Sequence, residues 1–144
     1  MTEGLPNFYK VSNDLCRGAQ PVHEGFVKLR AMGIKSVVSL RSLHTDRLYI
    51  RGLGFRYFHI RCCTWRPRLE DVERFLFIVR NSGNHPVFVH CQFGADRTGL
   101  MVAAYRIVVQ DWDVEAAVKE MVEGPFGFHK IWKDLPEFLG GLRE

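Results

Sequence analysis

Residues 86–105 restrict this chain to one kind of local arrangement. Pro86-Val87-Phe88-Val89 is an apolar run of strand length, and Leu100-Met101-Val102-Ala103-Ala104-Tyr105 is apolar on almost every side and suits a buried helix. Between them stands only His90-Cys91-Gln92-Phe93-Gly94-Ala95-Asp96-Arg97-Thr98-Gly99. The spacing predicts a strand-to-helix junction. Backbone N–H groups of such a loop, with the positive end of the following helix, converge on one point and make an anion site. Cys91 lies at its base, and Arg97 follows six positions later.

A cysteine facing oriented amides at a helix N-terminus can ionise at roughly pH 3.5–7.5, which makes Cys91 a nucleophile aimed at the bound anion. Arg97 offers a planar fork that matches two phosphoryl oxygens and offsets charge on them in the transition state. Gly94 and Gly99 allow close backbone approach. Thr98 is placed to hydrogen-bond the sulfur as it leaves, and His90 to position the loop. Together these residues fit covalent catalysis through a phosphocysteine. The alternative is a structural cysteine beside an unrelated arginine. Rhodaneses and arsenate reductases also use a cysteine in an anion loop, but the Arg-Thr-Gly ending before a long helix resembles the phosphatase pattern instead.

His90-Cys91, five intervening residues and Arg97-Thr98-Gly99 resemble the phosphate-binding loop of the protein tyrosine phosphatase superfamily. The resemblance is in particular to the small dual-specificity enzymes of bacteria and the atypical ones of plants and fungi. Leu15-Cys16-Arg17-Gly18-Ala19-Gln20-Pro21 and the stretch from Gly33 to Arg41 resemble the N-terminal half of those atypical enzymes, so the likeness covers most of the chain. It implies hydrolysis of phosphotyrosine, and by extension phosphoserine and phosphothreonine, in proteins or small phosphomonoesters, with no cofactor. Gln92, Phe93, Gly94, Ala95, Asp96 and Arg97 would cradle the phosphate, and phosphate or sulfate is expected there. Inositol phosphates or phosphoinositides are the alternative substrates. A phosphate-binding pseudophosphatase is the alternative of another class.

The general acid is where the chain departs from the pattern. These enzymes usually carry an aspartate on a mobile loop a few tens of residues before the cysteine. The corresponding stretch, Thr64 to Asp71, holds Glu70 and Asp71 only at its end, where both equally suit the first turn of the next helix. Asp96 is the rival. An aspartate at that loop position is a proposed acid in myotubularin-like and Sac-like phosphoinositide phosphatases. Its other reading is an orienting role, bonded to loop amides or to an arginine.

Along the chain, strands and helices alternate. Strands are expected at Leu15–Gln20, Ser36–Leu40, Phe55–Arg61 and the run into Cys91. A helix opened by Pro21 would bury Val22, Phe26, Leu29 and Met32 and end at Gly33. Thr45–Arg51 reads as a short helix, Val72, Phe75, Leu76 and Val79 keep helical spacing, and three helices close the chain. The fold class is therefore α/β: a central, mostly parallel four- to five-stranded sheet flanked by helices on both faces, with the site at the carboxyl ends of the strands. Arg41, just past one strand, and Cys62-Cys63-Thr64-Trp65-Arg66, just past another, should rim the crevice. Trp65 would cap the pocket or anchor its loop in the core. Phe126, Phe128 and Trp132 read as an aromatic turn in the core, with His129 and Lys130 close enough to reach the crevice.

With 144 residues and 47% hydrophobic content, residues 1–144 read as one catalytic domain, expected to be a monomer. No stretch approaches the ~18 apolar residues of a membrane span. Met1 to Pro6 carries no recognisable signal, and four cysteines without framework spacing suit a reducing cytoplasm, with export the alternative if a leader precedes this segment. Cys62 or Cys63 would be a resolving thiol for Cys91 or a small core filler. No metal is expected, because His59, His90, Cys62, Cys63 and Cys91 lack paired ligand spacing. Net charge is +4, yet from Arg41 to Arg68 seven arginines face a single carboxylate, Asp46. Such a stretch draws anionic substrates. Nucleic acid is not expected, since no stacking motif or recognition helix is present.

Overall fold

The computed structural model describes residues 3–63, 67–129 and 134–142. Five strands, β1 (Tyr9–Lys10), β2 (Leu15–Gly18), β3 (Ser36–Ser39), β4 (Arg56–His59) and β5 (Val87–His90), form one sheet in the order β1-β2-β5-β3-β4. β2, β5, β3 and β4 are mutually parallel, and β1 runs antiparallel at the edge. The helices are α1 (His23–Ala31), α2 (Arg47–Ile50), α3 (Leu69–Arg80), α4 (Asp96–Val108), α5 (Val114–Glu123) and α6 (Asp134–Gly140).

Side chains alternate across a strand, so each central strand feeds two cores. Leu15, Val38, Val87 and Val89 point into the core shared with α3, α4 and α5. Cys16, Val37 and Phe88 point into a smaller one with Phe26 and Leu29 of α1 and Ile50 of α2. Helices thus cover both faces, as the alternation of elements predicts. Because four strands are parallel, their carboxyl ends share one edge, and the central strand β5 delivers Cys91 to it.

One expectation needs correction. Val22 and Met32 are about half exposed, and the buried face of α1 is Gly25, Phe26 and Leu29. The N-terminal segment explains the change: a Cβ on Gly25 would lie 2.0 Å from the Gly4 carbonyl oxygen, so this segment packs flat on α1 and inserts Leu5 into the core. β1 was not foreseen, because two exposed residues carry no alternation. Pro136 falls in the first turn of α6, where its missing N–H costs no helical bond.

Candidate active site

The loop between β5 and α4 closes around the Cys91 sulfur. Cys91 is buried, and the Gly94 N–H donates to its Sγ at 3.3 Å. Ala95 stands at the N-cap of α4 with no side-chain cap, which leaves the first N–H groups of that helix free for an anion in the loop. Gly94 has φ +75°, and a Cβ there would lie 2.5 Å from the Gly18 carbonyl carbon. The end of β2 packs directly behind the loop, so only glycine fits. The Gln20 N–H donates to the Gln92 carbonyl at 3.1 Å and fastens the same contact.

Arg97, second residue of α4, shares an open pocket of about 370 Å³ with Gln92, Arg41, Ser42, Leu43 and His44. The structure therefore brings Arg41 beside Arg97, as its place after β3 predicts. Arg41 Nη1 donates to Gln20 Oε1 at 3.0 Å. Phe93 is largely exposed at the mouth of the loop.

His90 is fully buried, with Nδ1 3.1 Å from the Cys91 carbonyl oxygen and Nε2 2.5 Å from Asp46 Oδ2. Both ring nitrogens thus face oxygen atoms, and a proton on Nε2 is donated to the Asp46 carboxylate. Asp46 also accepts from Gln20 Nε2 at 2.8 Å. Burial by itself would raise the Asp46 pKa, but the hydrogen bond and charge of His90, with the Gln20 bond, hold it below the ordinary carboxylate range. Sequence reasoning counted Asp46 only as the lone acid of a basic stretch. It also missed Arg17, which is 1% exposed and donates from Nη2 to the Gly94 carbonyl at 2.9 Å. A charged residue inside a strand otherwise fit for burial was the available signal.

A sequence profile of the family described as "DSP-PTPase phosphatase fused to NAD+ Kinase" matches residues 5–133. The chain belongs to the dual-specificity protein tyrosine phosphatase family. Dual specificity protein phosphatase TpbA of Pseudomonas aeruginosa is 35% identical over 140 residues, covering 94% of this chain and 62% of TpbA. The chain thus spans less than two thirds of that relative's length. The TpbA crystal structure superimposes with a TM-score of 0.85 at 33% identity, covering 94% of this chain and 84% of that one. Inositol diphosphatase DSP4 of Arabidopsis thaliana is 27% identical over 122 residues, covering 79% of this chain and 61% of DSP4.

Against this family's pattern, the structure separates the candidate acids. Asp96 opens α4, and its carboxylate accepts from the His129 N–H at 2.8 Å and meets His129 Nδ1 at 2.7 Å. Among the described residues it is bound to His129 rather than to loop amides or an arginine, so His129 does reach the site. Asp71, in the first turn of α3, is buried with Oδ2 unpartnered among the described residues, and burial raises its pKa. Glu70 is exposed beside Arg68.

Thr98 requires a correction. Its Oγ1 is buried and makes no hydrogen bond among the described residues, so the expected bond to the sulfur is absent and the Gly94 N–H serves instead. Cys62 is likewise not a rim residue. It is 1% exposed in the larger core, and burial, reinforced by the nearby Asp71, pushes its thiol up to about 12, which suits a core filler. Thr64, Trp65, Arg66, Lys130 and Trp132 lie outside the described residues. No helix among the described residues is long and apolar enough to cross a membrane.

Proposed function

We propose that residues 1–144 form one catalytic domain that hydrolyses phosphomonoesters, phosphotyrosine foremost, through a phosphocysteine on Cys91. The observation that carries this reading is the Gly94 N–H directed at the Cys91 sulfur in a loop bounded by an uncapped helix start and Arg97. The Cys91 thiolate attacks phosphorus in line as the ester P–O bond breaks, and the leaving oxygen takes a proton from the acid. Loop N–H groups and the Arg97 fork hold the equatorial oxygens. Water, deprotonated by the same carboxylate, then attacks phosphorus, the P–S bond breaks, and phosphate leaves.

Asp96 is assigned the acid role, because it adjoins Arg97 at the start of α4 and His129 holds its carboxylate in place there. Asp71 is second, on its raised pKa and unpartnered oxygen. A crystal structure of TpbA in complex with pTyr supports the phosphotyrosine reading. Arg41 beside Arg97 supports a second one, inositol phosphates, whose additional phosphates would meet that cation. All four cysteines are unpaired, and Cys91 acts only when reduced, which supports a reducing compartment.

The test is a turnover panel of phosphotyrosine, phosphoserine and phosphothreonine peptides and inositol phosphates, with Cys91→Ser as control. Phosphotyrosine peptides are expected to turn over fastest. Cys91→Ser should bind inorganic phosphate while hydrolysing nothing. Preference for inositol phosphates would favour the second reading, and wild-type protein that binds phosphate without turnover on any substrate would make the domain a pseudophosphatase.

A further inference from the structure

We infer that Arg17 is a positioning residue that clamps Gly94 from behind the phosphate loop and supplies a fixed buried positive charge for the Cys91 thiolate, an inference that rests on reading Cys91 as the nucleophile. Arg17 stands in β2 in register with Val89 of β5, two residues before Cys91. Its guanidinium reaches the loop at the Gly94 carbonyl, whereas Arg41 and Arg97 line the open pocket with Gln92.

A guanidinium at 1% exposure is costly unless it is compensated. Among the described residues Arg17 makes no hydrogen bond to a carboxylate. Nη2 donates to the Gly94 carbonyl, the guanidinium carbon lies 3.7 Å over the centre of the Phe126 ring, and Nε has no partner among the described residues. Burial lowers its pKa to about 10, which still leaves it charged at neutrality. The strongest attraction that opposes this shift comes from Cys91, ahead of Glu120. Glu120 is itself engaged by Arg106 through two hydrogen bonds of 3.0 and 3.1 Å. With Glu120 so engaged, a thiolate on Cys91, linked to it through the single residue Gly94, is the counter-charge this guanidinium would meet.

The clamp follows from the two bonds of one residue. Gly94 sends its N–H to the sulfur and its carbonyl to Arg17. A cation pulling the carbonyl backward favours the left-handed turn that sends the N–H forward, so the loop shows donors to the anion and hides this acceptor. Phe126 fixes the plane of the guanidinium. Lysine would keep the charge without the fork, and methionine would fill the space with neither.

The experiment follows alkylation of Cys91 by iodoacetate across pH, read by mass spectrometry of the Cys91 peptide, in wild type, Arg17→Met and Arg17→Lys. Arg17→Met should move the half-maximal rate upward by about one pH unit or more, the effect of losing a nearby opposite charge. Arg17→Lys should restore most of that shift. Its kcat on an aryl phosphate should still fall at least about tenfold, as expected when a charge-assisted hydrogen bond to a buried carbonyl is lost. Arg17→Met that is folded by near-ultraviolet circular dichroism and alkylates with the wild-type profile overturns the proposal. If Arg17→Met does not fold, Arg17→Lys decides: a wild-type profile with reduced kcat supports the proposal, and a wild-type kcat or a displaced profile overturns it. Alkylation needs no substrate. A wild-type protein that hydrolyses nothing but shows the Arg17→Met displacement would defeat the phosphatase reading and leave the role of Arg17 standing.

Discussion

Arg97 and the two candidate aspartates can be distinguished by what each does to the transition state. A lysine at 97 keeps the charge but cannot bridge two oxygens, so Arg97→Lys should cost about 2.7–4 kcal/mol of transition-state stabilisation, the scale of one lost oxyanion donor. Unchanged kcat in that variant would contradict bidentate binding. Loss of the true acid hurts esters with poor leaving groups far more than a nitrophenyl ester, which leaves without protonation. Asp96→Asn should show that pattern clearly and Asp71→Asn more mildly, measured as kcat across a series of aryl and alkyl phosphates. Equal slopes in both variants and wild type would remove both from the role. Cys91, Arg97 and Gly94 were legible in the sequence because their spacing belongs to one contiguous loop. The bond of Asp96 to His129 was not, since 33 residues separate the partners.

Asp46 stands at the N-cap of α2, where its residue type ordinarily caps a helix, yet its side chain makes no cap bond there. It turns instead to His90 at the end of β5 and to Gln20 beyond β2, tying the short helix to the base of the loop. Removing one partner of a buried ion pair leaves the other charge unpaired, so Asp46→Asn should lose about 3–5 kcal/mol of stability at pH 7. The folded pKa of Asp46 lies below its ordinary range, so this contribution is complete above that range and is lost as pH falls through the lowered value. Urea unfolding of wild type and Asp46→Asn should therefore converge in strong acid. A gap that does not change with pH would mean that the pair is not ionic. The α1 face shows the same override of local pattern, because the N-terminal segment covers it where Val22 and Met32 were expected to.

Burial of Asp46 also changes the surface field of the molecule. It withdraws the one carboxylate between Arg41 and Arg68, while Arg47, Arg51, Arg56, Arg61 and Arg68 stay exposed. Steering by such a surface is screened as the Debye length falls from about 30 Å at 0.01 M salt to about 8 Å at 0.15 M. kcat/KM on an acidic phosphotyrosine peptide should drop over that range more than on a small aryl phosphate; equal salt dependence would assign these arginines no part in capture. The sequence by itself determined the alternation of elements, the two-faced strands and the loop with its nucleophile, because each is written in residues a few positions apart. Only the tertiary structure decided which charges stand behind that loop. Arg17 meets Gly94 across 77 positions and Asp46 meets His90 across 44, because the sheet order sets β5 between β2 and β3. Periodicity reports which side of an element is buried, and strand order decides what it is buried against.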